Sequence, residues 1–381
     1  MRLLPCLMPC SMPSPMPSPT LPSPRRRPQG TTLVSSLLCG LAALWLALTP
    51  GEAAAKEAPP IVVPVNAGFN AGELAAKAFS IPELRGLKGM SRAAVTVFAV
   101  EFVTADHIAT HTSGFGSAGR ASSALYYQLL GVGEADFQAL TNALHAQFLA
   151  RLQASGVALV PPEQLQASPL YRKLVAGGRQ APVKSDTSLV MSPPGLGIFG
   201  FARGSVGPAK PSAGVFGALA GLGNGLSAVG DITDTIELSN QLNASLIEMR
   251  LRVNFVELSD HNKGFFGRMA LSARTSGQVL PSIDGVMVGV QAGPWRSTMT
   301  MTHTLALDPA AFAEVREKAT TAGDVAGAVL VGLIRLASSS KDSHASKEME
   351  AVADPQRYRE LVGGGLAQLA DVVVARLSAE R

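Results

Sequence analysis

The chain has 381 residues, of which 47% are hydrophobic and 16% charged; this is ample apolar material for a core and excludes a highly charged, unfolded polymer. Most of its formal net charge of +4 comes from residues 1–55, which hold Arg2, Arg25, Arg26 and Arg27 against Glu52 alone. Without them 28 basic residues face 27 acidic ones, so the balance does not point to nucleic acid.

Residues 1–30 are a Pro/Ser-rich run that cannot pack a core, and Met8, Met12 and Met16 within it are alternative initiators. Arg25-Arg26-Arg27, an apolar run over 31–48 and Ala53-Ala54-Ala55 before Lys56 form the n-region, h-region and small-residue cleavage site of a secretory signal peptide. We expect cleavage after about Ala55. The competing reading is an uncleaved anchor, because the apolar run approaches the roughly 20 residues that span a bilayer. Cys6, Cys10 and Cys39 all precede that cut, so a mature chain has no disulfide, thiol nucleophile or Cys metal site. Cys39 lacks the small residue expected just before a lipidated cysteine. We expect an exported protein, periplasmic or associated with the outer membrane.

A short strand over 61–65 and a helix over 72–79 open the mature region. The β-branched and aromatic run 95–103 predicts a buried strand. Residues 104–123 are rich in Gly, Ser and Thr and are expected to form a loop, followed by a strand over 122–130. Over 134–154, Phe137, Leu140, Leu144, Phe148 and Leu152 recur at helical spacing, with His145 assigned to the wet side. Ser155-Gly156 stops this helix, and a short strand over 157–160 follows. Ser168-Pro169 caps a short helix over 165–175.

The 104–123 loop carries the candidate site residues. His107 and His111, with Asp106 beside them, are metal-ligating types, but a spacing of four brings two histidines together on a helix and not in a loop, so solvated histidines are the simpler reading. Gly114, Gly116 and Gly119 match G-x-G-x-x-G, as do Gly195, Gly197 and Gly200. Neither match opens a predicted helix, which a phosphate cradle requires. Ser117 has Phe115 where a nucleophile elbow needs Gly. No catalytic residue and no cofactor is expected.

Residues 193–230 are Gly- and Ala-rich and almost uncharged; they read as a long loop leading into a helix over 215–242, or as a membrane-contacting or oligomer-forming hairpin. Residues 243–258 alternate strictly, with Ile247, Met249, Leu251, Val253 and Phe255 apolar-in and Glu248, Arg250, Arg252 and Asn254 polar-out. Strands over 268–275, 285–291 and 298–307 complete an antiparallel meander, in the last of which His303 falls on the apolar side. Asp308-Pro309 and Asp354-Pro355 are capping pairs, so 308–381 is expected to be helical, with a polar loop at 338–347 and a weak point at Gly363-Gly364-Gly365. The fold class is α+β, an α/β-like sandwich of a mixed sheet and helices. The expected organisation is 1–55 as leader, 56–307 as core with the 193–230 insertion, and 308–381 as a helical segment.

The order strand 95–103, helix ending at Gly156, strand 157–165 and long amphipathic strands 246–258 and 268–275 resembles the periplasmic α/β domain of curli-secretion channel lipoproteins. The related penicillin-binding-protein activator and the N-terminal domain of the Tol-Pal translocation protein share that layout. The phrases ALTNALHAQFLARLQASGVALVPPEQL and SLIEMRLRVNFVEL look like a family of uncharacterised secreted proteobacterial proteins. The curli family's lipid-bearing cysteine has no match here, and no functional residue is carried over.

The expected function is that of a non-enzymatic cell-envelope protein of binding, accessory or assembly type. Its partner would be an envelope protein or a second copy, with peripheral membrane contact through 193–230 and no nucleic acid. The alternatives are a hydrolase or metal-dependent enzyme using the 104–123 loop, and a membrane-inserting or pore subunit.

Overall fold

The computed structural model describes residues 61–62, 69–113, 120–199, 227–260, 273–318, 328–329, 333–338 and 343–381, all within the unit Ala58–Arg381. In chain order they form β1 (Ile61–Val62), α1 (Ala71–Ala78), β2 (Phe79–Ser80), β3 (Arg92–Val103), β4 (Ala105–Ser113) and β5 (Arg120–Leu130). Next come α2 (Glu134–Ala154), β6 (Ala158–Leu159), α3 (Pro162–Ala167), α4 (Pro169–Gly177), β7 (Val183–Lys184) and β8 (Ser188–Met191). Then follow α5 (Ser227–Leu242), β9 (Ser245–Asp260), β10 (Ala273–Ala292), β11 (Trp295–Met301) and β12 (Leu305–Ala306). A 3-10 turn at Pro309–Ala311 leads to β13 (Phe312–Glu317), β14 (Ala328–Val329), β15 (Leu333–Ser338), β16 (Ser343–Ala353) and α6 (Pro355–Glu380). The class is α+β, with mixed sheets against helices and a helix at the C-terminus.

The first sheet runs β1-β12-β10-β9-β3-β8-β7, with β11, β15, β2 and β6 paired to its members. At its centre β3 is parallel to β9, with Phe98 opposite Met249 and Phe102 opposite Val253. From Ala93 to Val103 every residue of β3 is buried, because both faces of this part of the sheet are covered. On one face Phe102 stacks on Phe137 of α2 at 4.4 Å between ring centres, and Phe98 packs against Phe148. An aromatic ring of this size buries about 150–250 Å². The opposite face receives α4 and α5 over Ala94, Val97 and Leu246.

The second sheet runs β14-β13-β16-β5-β4. Its inner face packs on the lower half of β9 and β10, where Tyr127 donates to the Gly277 carbonyl at 3.3 Å and Ser123 and Thr275 share a 2.7 Å hydroxyl contact. Gly277 has no side chain because Tyr127 occupies that space, within 2.7 Å of where a Cβ would sit.

The expected helix ends hold. Gly156 adopts φ +89, and Val157 N–H reaches back to the Leu152 carbonyl, closing α2. Ser168 Oγ accepts from Tyr171 N, and an Asp354 carboxylate oxygen accepts from Arg357 N at 2.9 Å. The three glycines do not split α6, which runs unbroken. It is the one described helix long and apolar enough to cross a membrane, and ten of its residues are buried against the rest of the protein.

Several expectations are corrected. Residues 105–113 are not a loop but strand β4, paired with β5 residue by residue from Ala105–Gln128 to Ser113–Arg120. Cross-strand hydrogen bonding and the β-branched Ile108, Thr110 and Thr112 override the loop-like composition. The segment after Asp308 is mostly not helical. The Asp-Pro cap starts a single 3-10 turn, and Phe312–Glu317 is a strand. The polar stretch read as a loop at 338–347 contains the start of β16, the middle strand of the second sheet. The two strands expected over 268–291 are one twenty-residue strand, β10, with register shifts after Val279 and Asp284. The strand expected over 298–307 ends at Met301. Residues 1–60 and 200–226, which include the expected signal peptide and most of the Gly/Ala-rich stretch, lie outside the described residues.

Candidate functional site

Asp106, His107 and His111 all lie on β4, but strand geometry separates them. Neighbouring side chains on a strand point to opposite faces. His107 and His111 therefore share the outer face, four residues or about 13 Å apart, while Asp106 points inward. His107 is exposed and its ring stacks on Tyr126 at 5.6 Å. The Asp106 carboxylate accepts from His107 N at 2.8 Å, and burial raises its pKa, with Arg252 and Asp284 nearby. Among the described residues no group of three or more His, Cys, Asp or Glu could hold a metal ion. Gly114, Gly116, Ser117, Gly119 and Gly200 lie outside the described residues. Gly195 and Gly197 precede an isolated bridge from Ile198 to Arg179, not a helix.

What the topology does bring together is the outer face of the second sheet. Across β4, β5 and β16 the registers align His111, Ser122 and His344 in one row. Ser122 Oγ and His344 Nδ1 are 2.7 Å apart. The next rows are Ala109, Ala124 and Ser346, then His107, Tyr126 and Glu348, then Ala105, Gln128 and Glu350. On β13 and just beyond it, Arg316 and Lys318 bind Glu350 and Glu348 at 2.8 and 2.9 Å, and each carboxylate raises its partner's pKa. Tyr126 is 43% exposed. The face thus has an aromatic centre, small neighbours and an ion-paired rim. Its Ser–His contact lies on an open surface, whereas a serine nucleophile needs an orienting third group and donors for a developing oxyanion.

The pairing of His344 with Ser122 was invisible in the sequence, because 222 residues separate them and the parallel β5–β16 contact joins chain segments with no local signature.

A second cluster lies on the less apolar face of the first sheet. Glu248, Arg250 and Arg252 were expected to face water, but Glu248 and Arg250 are each only 6% exposed. Arg252 binds Asp284 through two hydrogen bonds of 2.7 and 3.0 Å, and Arg296 reaches Glu248 at 2.8 Å. Glu101, opposite Arg252 in the β3–β9 register, accepts from Ser188 Oγ at 2.6 Å. Burial pushes the Arg250 guanidinium down, while Glu248 acts in the opposite direction. The sequence signal was present, since Glu-Met-Arg-Leu-Arg alternates, but alternation alone does not distinguish water from a buried counter-charge.

Two further histidines differ in setting. His145 does not sit on a wet face: its ring meets Phe98 edge-on at 5.0 Å, and burial pulls its pKa down to about 4. His303 is half-buried beside the Thr302 hydroxyl at 2.9 Å.

Comparison with protein-family models, with curated proteins and with solved structures returned no match, and the resemblance in layout to the curli-channel domain finds no counterpart there.

Proposed function

We propose that this is an exported cell-envelope protein that works by binding another protein, not by catalysis, and that the outer face of the second sheet is the surface it uses. The export half of this reading rests on the leader-like residues 1–55. The binding half rests on one observation: the exposed face centred on Tyr126 and His107 combines an aromatic pair, the small residues Ala109, Ala124 and Ser346, and a rim of Arg316–Glu350 and Lys318–Glu348 ion pairs. Aromatic anchors inside a polar rim are the anatomy of protein interfaces. Enzyme sites, by contrast, are concave and exclude water. The paired charges leave no strong field of one sign, which favours a protein partner over a polyanion.

The test is photo-crosslinking in the native cell from a reactive residue at Tyr126, with one at Lys77 as control, alongside fractionation and sequencing of the mature N-terminus. A discrete adduct from position 126 alone, in an envelope fraction with a chain beginning near Lys56, is expected. A cytoplasmic chain would overturn export, and no adduct at 126, or equal adducts at both positions, would overturn the interface.

A further inference from the structure

A cleft of about 450 Å³ opens at the end of the first sheet where β3 and β9 begin and β10 ends. Small-molecule sites span roughly 300–1,000 Å³. Arg92 stands at the start of β3, and its guanidinium donates to the neutral amide of Gln164 at 3.1 Å. Among the described residues it has no carboxylate partner. Ser245, the first residue of β9, is 7% exposed and lines the cleft. Ser91, Asn240 and Asn243 complete the polar wall. Among the described residues, none of the side chains of Ser91, Asn240, Asn243 and Ser245 makes a hydrogen bond.

The cleft borders the C-terminus of α5, whose carbonyls would favour a cation if they were free. They are largely occupied. Asn243 adopts φ +45, its N–H binds the Asn240 carbonyl at 3.2 Å, and Ala244 N–H binds the Ser239 carbonyl at 3.2 Å, which is a Schellman closure with Asn in place of Gly. Among the described residues, the cleft lining contains no carboxylate and no aromatic ring. A metal cation therefore has no anionic ligand here, and a nucleobase has no surface to stack on. One guanidinium among hydroxyls and carboxamides suits a ligand with one negative group and several hydroxyls.

We propose that this cleft binds a small polyhydroxylated anion, a sugar or hydroxy acid carrying one carboxylate or phosphate, with Arg92 on the anionic group and Ser245, Asn240 and Asn243 on the hydroxyls. The site shares no residue with the exposed sheet face, so the two readings fail separately.

Calorimetric titration of the purified full chain with glucuronate and with glucose 6-phosphate tests it, with glucose and inorganic phosphate as controls. Saturable binding of at least one anionic sugar is expected at a Kd of about 10 µM to 1 mM. It should exceed both controls and weaken at least about tenfold in Arg92→Gln. Arg92→Lys should recover part of it. If Arg92→Gln does not fold, Ser245→Val, which places methyl groups in the cleft, provides the same loss. No saturation by either sugar at about 10 mM would overturn the proposal. So would glucose binding as tightly as glucuronate, or undiminished binding in a folded variant.

Discussion

His145 shows how one residue's surroundings set its chemistry. On a helical wheel it falls beside the apolar stripe of α2, yet in the structure its ring lies against Phe98. Burial pulls its pKa down to about 4, below the ordinary 6.5, so the folded protein holds it neutral. Between those values the unfolded chain binds the proton more readily. The stability this site supplies is complete above pH 6.5 and is lost as the pH falls toward 4. For a half-buried ring the window corresponds to about 2 kcal/mol. Urea unfolding at about pH 7.5 and 4.5 should show the wild type losing about that much more than His145→Leu. Equal losses in the two proteins would exclude the effect.

At the scale of the element, β9 combines two kinds of burial. Ile247, Met249, Leu251, Val253 and Phe255 enter the main core, while the buried Glu248 and Arg250 and the half-buried Arg252 form a polar seam with β3, β10 and β11. The Arg252–Asp284 pair is half-buried, so removing one member leaves a partly desolvated charge, and Asp284→Ala should cost about 2 kcal/mol. The double variant Arg252→Met, Asp284→Ala should cost less than the two single changes together, with a coupling of about 1–3 kcal/mol by chemical denaturation. Additive losses would mean that the seam is not an energetic unit. The seam offers a reason for register, because a one-residue slip of β9 would carry its charges into the main core. β4 follows related logic as the nine-residue strand at one end of the second sheet: Asp106 points inward from it, a known protection against unwanted edge pairing.

For the folded unit as a whole, the decisive contact is parallel β5–β16 pairing from Ala121–Ser343 to Leu130–Val352. It closes a loop of more than 200 residues and places the C-terminal strand in the middle of the second sheet. The C-terminal helix α6 then packs its buried residues, among them Tyr358, Val362 and Leu369, into the main core. Ending the chain at residue 342 removes β16 and α6 together. The product should lose its near-ultraviolet circular dichroism and cooperative urea transition while binding a hydrophobic dye, the behaviour of a collapsed chain without specific packing. A cooperative transition with native-like aromatic signals would show that the segment is an appendage.

Local chemistry by itself determined the elements whose signals are local. The α2 stripe and its Gly156 stop, the Ser168 and Asp354 caps, the apolar run of β3 and the alternation of β9 are all readable, because periodicity and capping act within a few residues. Only tertiary structure decided the rest. Thr- and His-rich 105–113 became a strand because β5 supplied a ladder, and 312–317 and 343–353 became strands because a second sheet was there to receive them. Glu248 was buried and Arg252 half-buried because opposite charges waited on β11 and β10. Gly365 serves α6 because a Cβ there would run into Leu307, a contact between chain segments that helix propensity cannot register. The site residues follow the same division: Asp106, His107 and His111 were visible as types, but their separation onto two faces and the alignment of His111 with Ser122 and His344 depend on pairings between distant strands, where sequence distance carries no information about contact.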